Sequence, residues 1–80
     1  MLFRIDDSSY KPIENYQIAY ANGEEFPCYS IARGVCFHPR TQDEETDRMI
    51  RVRITADGYK PKDYIYPSTS GGGPAIVLNR

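Results

Sequence analysis

Apolar and polar residues alternate with a period of two along much of this chain, which is the pattern of strands with one buried face. The clearest example is residues 48–56, where Ile50, Val52, Ile54 and Ala56 are predicted to point inward and the residues between them outward. Similar runs follow elsewhere: residues 2–6, 15–21, 63–67 and 75–79. Apolar residues nowhere recur at helical spacing over eleven residues, so no helix is predicted.

Turn-forming residues separate these runs. Asn22-Gly23 is a strong signal for a two-residue type I′ hairpin, in which both central residues need a positive φ. Gly34 is expected to close a second hairpin in the left-handed region, and Asp57-Gly58 to form a third turn. Turns at this spacing predict an all-β fold, a small antiparallel sandwich of seven strands.

Length and composition bound the class of protein. Eighty residues form one domain, spanning 1–80, and 12% aromatic residues argue against disorder. A net charge of −1 provides no basic footprint for nucleic acid, and no apolar stretch approaches the roughly 20 residues of a membrane helix. The first ten residues lack the apolar core of a signal peptide, so a cytoplasmic protein is expected, with secretion by a signal-less route left open.

The two cysteines are too few for a disulfide scaffold. The turn at Gly34 places Cys36 opposite Ser30, which makes Cys28 a diagonal neighbour across the hairpin. We predict two reduced, structural thiols, because a buried free cysteine behaves as a small hydrophobic residue. A disulfide across the hairpin is the alternative.

The end of the chain, "IRVRITADGYKPKDYIYP" followed by "AIVLNR", resembles the end of transthyretin-like (prealbumin-like) sandwich modules, a group that includes carboxypeptidase regulatory-like domains. Those modules have a strand, a Gly-Tyr pair (here Gly58-Tyr59), a second strand and a short final strand. The first half of the chain is similar to their opening order of strands and turns. Its turn at residues 30–34 keeps the glycine and lacks the usual acidic residues. The resemblance implies a transthyretin-like sandwich.

Residues 11–34 resemble, more closely, the transthyretin-like extensions of bacterial type VI secretion spike and effector proteins. The positions that fit this pattern are Lys11, Pro12, Ile13, Asn15, Tyr16, Ile18, Asn22, Gly23 and Gly34. Such extensions are similar to adaptors, which hold a cargo protein against a carrier. The resemblance therefore implies a non-enzymatic adaptor that links an effector to a secretion apparatus.

Few residues suggest catalysis or ligand binding. His38 and Cys36 would share one face of a strand, but no third group orients them, and a solvated His38 is the simpler expectation. The glycines of residues 70–73 lack the lysine and following helix of a phosphate-binding loop. The chain has too few Cys and His residues for zinc. No catalytic residue, metal site or cofactor is predicted, and the protein is not expected to be an enzyme.

A protein partner is the expectation that remains, because tyrosine and arginine dominate the energy of many interfaces. Tyrosines are numerous, and they either form an exposed aromatic patch or cap the two ends of the sandwich. The candidate partner-binding residues on strands and turns are Tyr10, Tyr29, Arg51, Arg53, Tyr64 and Tyr66. An acidic run without the spacing of a calcium loop adds Asp43, Glu44, Glu45 and Asp47.

Three hypotheses follow. The first is the adaptor, which binds another protein through a sheet face, an edge strand or end loops. The second is a small inhibitor or immunity-type protein encoded by a phage or mobile element, which blocks an enzyme's basic cleft with the acidic run. The third is the transthyretin-like hydrolase of a purine breakdown product. The resemblance implies for that enzyme a signature of His and Arg residues and a C-terminal Tyr-Arg-Gly-Ser run. This chain has one histidine and ends in "VLNR", so the hydrolase function is not supported.

Overall fold

The computed structural model describes residues 1–39, 48–69 and 73–80. Across these ranges the chain forms seven strands and no helix, which confirms the all-β prediction. The strands are β1 (Leu2–Asp7), β2 (Tyr16–Tyr20), β3 (Tyr29–Ala32), β4 (Val35–Phe37), β5 (Met49–Ala56), β6 (Lys62–Pro67) and β7 (Ala75–Leu78).

The strands form two sheets. One has the order β3-β4-β1-β7 and the other the order β2-β5-β6. The smaller sheet is antiparallel throughout, whereas β1 and β7 pair in parallel, with Ile5 beside Ile76. The prediction of an entirely antiparallel fold is therefore wrong. Side-chain alternation is the same in both strand directions, so it carries no information on the direction of β7.

The core lies between the sheets and follows the predicted alternation. Ile50, Val52 and Ile54 of β5 are buried, while Arg51 and Arg53 between them are exposed. Nine further side chains belong to the buried core of the described residues: Phe3, Ile5, Ile13, Ile18, Phe26, Cys36, Tyr66, Ile76 and Leu78. β1 and β5 thus supply the centre of the two facing layers.

Two of the predicted glycine turns have the expected geometry and one differs. Gly34 has a φ of 68° and Gly58 a φ of 82°. At Asn22-Gly23 only the glycine has a positive φ, so the type I′ prediction is wrong. The Gly23 N–H donates to the Tyr20 carbonyl (2.9 Å) and the Tyr20 N–H to the Glu24 carbonyl (2.8 Å). This is a type I turn followed by a glycine bulge, a three-residue hairpin loop.

Cys28 and Cys36 form a disulfide, so the prediction of two reduced thiols is wrong. The predicted register is correct, since Ser30 lies opposite Cys36. Cys28 precedes the first residue of β3 and lies outside its regular pairing. Its Cα approaches that of Cys36 to 5.4 Å, which is within the reach of a disulfide.

Candidate protein-binding surface

Three large apolar side chains stand side by side on the outer face of the four-stranded sheet. Leu2 of β1 lies opposite Phe37 of β4, and Phe37 lies opposite Tyr29 of β3. Directly opposed residues point to the same face of a sheet, with Cβ atoms about 4.5–5.5 Å apart. The exposed fractions are 42%, 43% and 62% in that order. We call Leu2, Phe37 and Tyr29 the apolar row.

Strand alternation explains why the apolar row faces solvent. Leu2 and Phe37 are neighbours in sequence of Phe3 and Cys36, which are fully buried and oppose each other on the inner face. With those two side chains in the core, the adjacent positions must point outward. Outward positions of a sheet with one solvated face are usually polar. The apolar row departs from that pattern on three neighbouring strands.

The four candidate tyrosines do not form one patch. Tyr10 is 76% exposed and lies in the turn after β1, while Tyr29 belongs to the apolar row. Tyr66 is only 3% exposed and Tyr64 is half-buried, and their rings stack with centroids 6.0 Å apart. Tyr66 is therefore too buried to belong to an exposed aromatic patch, which is one of the two alternatives for the tyrosines.

Register explains the inward direction of these two rings. Tyr64 lies opposite Val52 and Tyr66 opposite Ile50, and both β5 partners are buried in the core. Ile65, between the tyrosines, is exposed instead. Because apolar residues occupy both faces of β6, its sequence pattern alone does not identify the buried face.

The two candidate arginines lie on the opposite side of the protein from the apolar row. Arg51 and Arg53 point outward from the three-stranded sheet, as predicted. Arg53 lies opposite Asp63 and contacts both carboxylate oxygens, with Nε–Oδ1 at 2.8 Å and Nη2–Oδ2 at 3.3 Å. Arg51, Arg53 and Asp63 help to line a depression of about 390 Å³, together with Ala19 of β2. Arg51 and Arg53 therefore cannot serve one interface together with Tyr29.

The Arg53–Asp63 pair predicts a pH effect. The hydrogen bond from Arg53 lowers the pKa of the Asp63 carboxyl, and the charges of Arg53 and Arg51 add to that lowering. The stability that the Arg53–Asp63 pair contributes is fully present above the ordinary pKa of an aspartate. It is lost as the pH falls through the lowered pKa that Asp63 has in the folded protein. Arg53→Gln should raise the pKa of Asp63, and Arg51→Gln should raise it less. An NMR titration of the Asp63 carboxyl carbon measures both, and an unchanged pKa in Arg53→Gln would contradict the assignment.

His38 is not solvated, contrary to the sequence expectation. It is 1% exposed and stacks on Phe26, with ring centroids 3.9 Å apart. The backbones of Met1 and His38 exchange two hydrogen bonds, which extends the β1–β4 pairing by one residue beyond Phe37. Alternation then turns His38 inward because Phe37 points outward. Its ring Nδ1 bonds to the Pro27 carbonyl.

The burial of His38 and the disulfide together remove the catalytic pair considered from sequence. Cys36 is bonded to Cys28, so it offers no thiolate nucleophile in the oxidised protein. Within residues 1–39, 48–69 and 73–80, no three His, Cys, Asp or Glu side chains come together in a way that could hold a metal ion. The acidic run Asp43, Glu44, Glu45 and Asp47 lies outside the described residues.

Comparison with known proteins finds no protein-family profile and no curated protein that matches this chain. Among the described residues, no helix has the length and apolar character needed to cross a membrane. The surface chemistry is therefore the basis for a functional proposal.

Leu2 and Phe37 are the residues of the apolar row that sequence reasoning missed. A signal for Leu2 was present, since the predicted inward direction of Phe3 and Ile5 requires Leu2 to face outward. The position of Phe37 beside it depends on the pairing of β1 with β4, which are separated by 27 residues between Asp7 and Val35. The local pattern of apolar and polar residues does not predict that β1 and β4 are neighbours.

Proposed function

We propose that this protein is a non-enzymatic protein-binding module and that the apolar row is its docking surface. The observation that carries the proposal is the alignment of Leu2, Phe37 and Tyr29 on one exposed face. Contiguous exposed apolar surface on a small protein favours an interaction site, whereas single exposed apolar residues are ordinary. Aromatic residues such as Tyr29 and Phe37 supply large contact area at little entropic cost.

The more specific part of the proposal is an adaptor that links an effector to a bacterial secretion apparatus. Its support is the resemblance of residues 11–34 to the transthyretin-like extensions of type VI secretion proteins. The Cys28–Cys36 disulfide also favours a protein that functions outside the reducing cytoplasm, because disulfides persist in oxidising compartments. Both arguments favour a protein that functions outside the cytoplasm.

Site-specific photocrosslinking tests the docking surface. A benzoylphenylalanine at position 37 should capture a specific partner in lysate of the native host, and the capture should persist at high salt because the contact is apolar. The matched control carries the same group at position 65, since Ile65 is exposed to a similar degree on the other sheet. Tyr29→Ala should weaken binding at least tenfold if Tyr29 is one of the residues that dominate the interface energy.

The outcomes separate the adaptor from the inhibitor hypothesis. Capture of a secretion component from position 37 only, retained at high salt, supports the adaptor. Capture of an enzyme that is lost when irradiation is carried out at high salt supports an inhibitor whose acidic run forms the contact, because screening weakens interactions between exposed charges. Equal capture from positions 37 and 65 would refute the assignment of the docking surface.

A further inference from the structure

β3 differs from the other strands of the described fold. It lies at one edge of the four-stranded sheet, and its only neighbouring strand among the described residues is β4. All four of its residues, Tyr29–Ala32, are exposed. Each of the other six strands buries at least one side chain in the core. Hydrophobic burial therefore holds every strand in place except β3.

Two covalent features position β3 instead. The disulfide of Cys28 ties the residue before the strand to Cys36, which is fully buried in β4. At the other end, the turn at Gly34 returns the chain directly into β4. Between them the strand has three paired positions, which are interrupted by an irregularity between Ser30 and Ala32. The disulfide thus links the residue just before β3 to the core.

The chemistry of the β3 edge favours strand pairing. Edge strands present unpaired N–H and C=O groups, and proteins usually protect them with lysine, proline or other charged residues. β3 has the sequence Tyr-Ser-Ile-Ala and carries no such residue, whereas the edge strand β6 begins with Lys62-Asp63 and ends at Pro67. Ile31, in the middle of β3, is 59% exposed. The unprotected edge adjoins the apolar row through Tyr29.

We infer that β3 is a docking strand: an extended, uncharged segment of a partner protein pairs with its free edge, and the Cys28–Cys36 disulfide holds the strand ready for it. This inference rests on the proposed function and specifies the partner's chemistry. Main-chain hydrogen bonds along the edge would provide affinity, and alternate apolar side chains of the segment would extend the apolar row beyond Tyr29. A charged segment would find no counter-charge on β3 itself.

The geometry of β3 favours a partner segment over a second copy of this chain. Two copies related by a two-fold axis would pair β3 with itself in antiparallel fashion. The irregularity between Ser30 and Ala32 lies in the middle of a four-residue strand, so the two irregularities would face each other. A bulge disrupts local pairing. An independent extended segment can adjust its own backbone to the irregular edge.

The role of the disulfide gives the inference a redox consequence. A dithiol reductant exchanges with the Cys28–Cys36 bond and becomes a cyclic disulfide, and each cysteine gains one hydrogen. β3 then keeps only its pairing with β4, without side-chain burial to hold it. Segments with few buried apolar contacts open locally at low free-energy cost. Reduction should therefore loosen β3. Docking should weaken, because the loosened strand must lose conformational entropy when the partner segment binds.

The probe for this inference is a phage-displayed library of random heptapeptides selected on the oxidised protein. Enriched peptides should have alternating apolar residues, with few charges and no proline. Amide hydrogen exchange should show protection at Tyr29–Ala32 when a synthetic copy of an enriched peptide binds. Fluorescence anisotropy should show at least a tenfold loss of affinity for Ile31→Lys. The matched control, Ile65→Lys, places the same charge on the edge strand β6 and should bind the peptide normally.

A second comparison isolates the disulfide. Cys28→Ser leaves the buried Cys36 in place as a small apolar residue. We expect this variant to bind the peptide at least tenfold more weakly, and the hydrogen exchange of its β3 amides to be faster. Circular dichroism and the amide exchange of β5 check that the core remains folded. Unchanged affinity in both Cys28→Ser and the reduced protein would overturn the role of the disulfide.

The remaining outcomes distinguish this inference from the proposed function. Failure to enrich any peptide, or protection confined to strands other than β3, overturns strand docking. So does a dimer in sedimentation experiments that Ile31→Lys abolishes, because the occupant is then a second copy. If the Ile31→Lys variant that carries the crosslinker at position 37 still captures the partner, the apolar row is supported as the docking surface and only the strand-pairing hypothesis is refuted. If the crosslinker at position 37 captures nothing while peptides protect the β3 amides, the role of the apolar row is refuted and the strand-pairing hypothesis is supported.

Discussion

Phe3→Ala should reduce the free energy of unfolding by about 3–5 kcal/mol, the usual cost of removing a fully buried aromatic ring. Phe3 has no exposed surface and lies at the centre of the aromatic part of the core. Its ring makes edge contacts with Phe26, Tyr66 and Tyr64, with centroids at 5.5, 5.7 and 6.5 Å. Removal of the ring therefore eliminates all three of these contacts and leaves a cavity in the core.

That loss is large relative to the whole stability of a protein this small. At roughly 0.05–0.15 kcal/mol per residue, a chain of 80 residues has about 4–12 kcal/mol in total. Urea denaturation of the wild type and Phe3→Ala measures the difference. Phe3→Leu, which keeps most of the volume, should cost less than about 1.5 kcal/mol and provides a folded reference if the alanine variant does not fold.

Phe37→Ala is the matched control, because it removes the same side chain from the neighbouring strand where it faces solvent. Phe37 belongs to β4 and is 43% exposed. Its truncation should change the free energy of unfolding by no more than about 1 kcal/mol. Equal losses in Phe3→Ala and Phe37→Ala would contradict the assignment of the buried and exposed faces of β1 and β4.

Gly34→Ala should destabilise the protein by roughly 3 kcal/mol, through backbone strain and steric overlap together. Gly34 has a φ of 68°, a region that costs an ordinary residue about 1–2 kcal/mol. An added Cβ would lie 2.6 Å from the Pro12 Cβ and 3.0 Å from the Ile5 carbonyl oxygen. Overpacking of this kind costs about 1–3 kcal/mol. For a domain of this size the midpoint of thermal unfolding should fall by roughly 12–24 °C.

Gly23→Ala separates the two contributions. Gly23 also has a positive φ, of 92°, but an added Cβ would have no neighbour within 4 Å. This variant should therefore lose only the backbone contribution, about 1–2 kcal/mol. Thermal denaturation of both variants gives the steric contribution as the difference. If Gly23→Ala proved as destabilising as Gly34→Ala, the close approach of Pro12 to the β3–β4 turn would not be a source of the effect.

Local patterns were sufficient where a strand has one apolar and one polar face. The alternation in residues 48–56 predicted the buried Ile50, Val52 and Ile54 and the exposed Arg51 and Arg53. Gly34 and Gly58 were predicted correctly as turn positions, because their φ values need a residue without a Cβ. The same reasoning was insufficient at Tyr64, Ile65 and Tyr66, where both faces of the strand are apolar.

The sequence by itself determined the all-β class, the main strands, the glycine turns and the opposition of Ser30 and Cys36, because each depends on residues close in the chain. Only the tertiary structure decided which strands are neighbours. That choice makes β1 and β7 parallel partners, turns His38 and Tyr66 into the core, brings Cys28 within bonding distance of Cys36, and aligns Leu2 with Phe37. A period-two pattern specifies which residues share a face of one strand. It does not specify the strand that lies beside that face, since pairing between distant segments depends on the packing of the whole core.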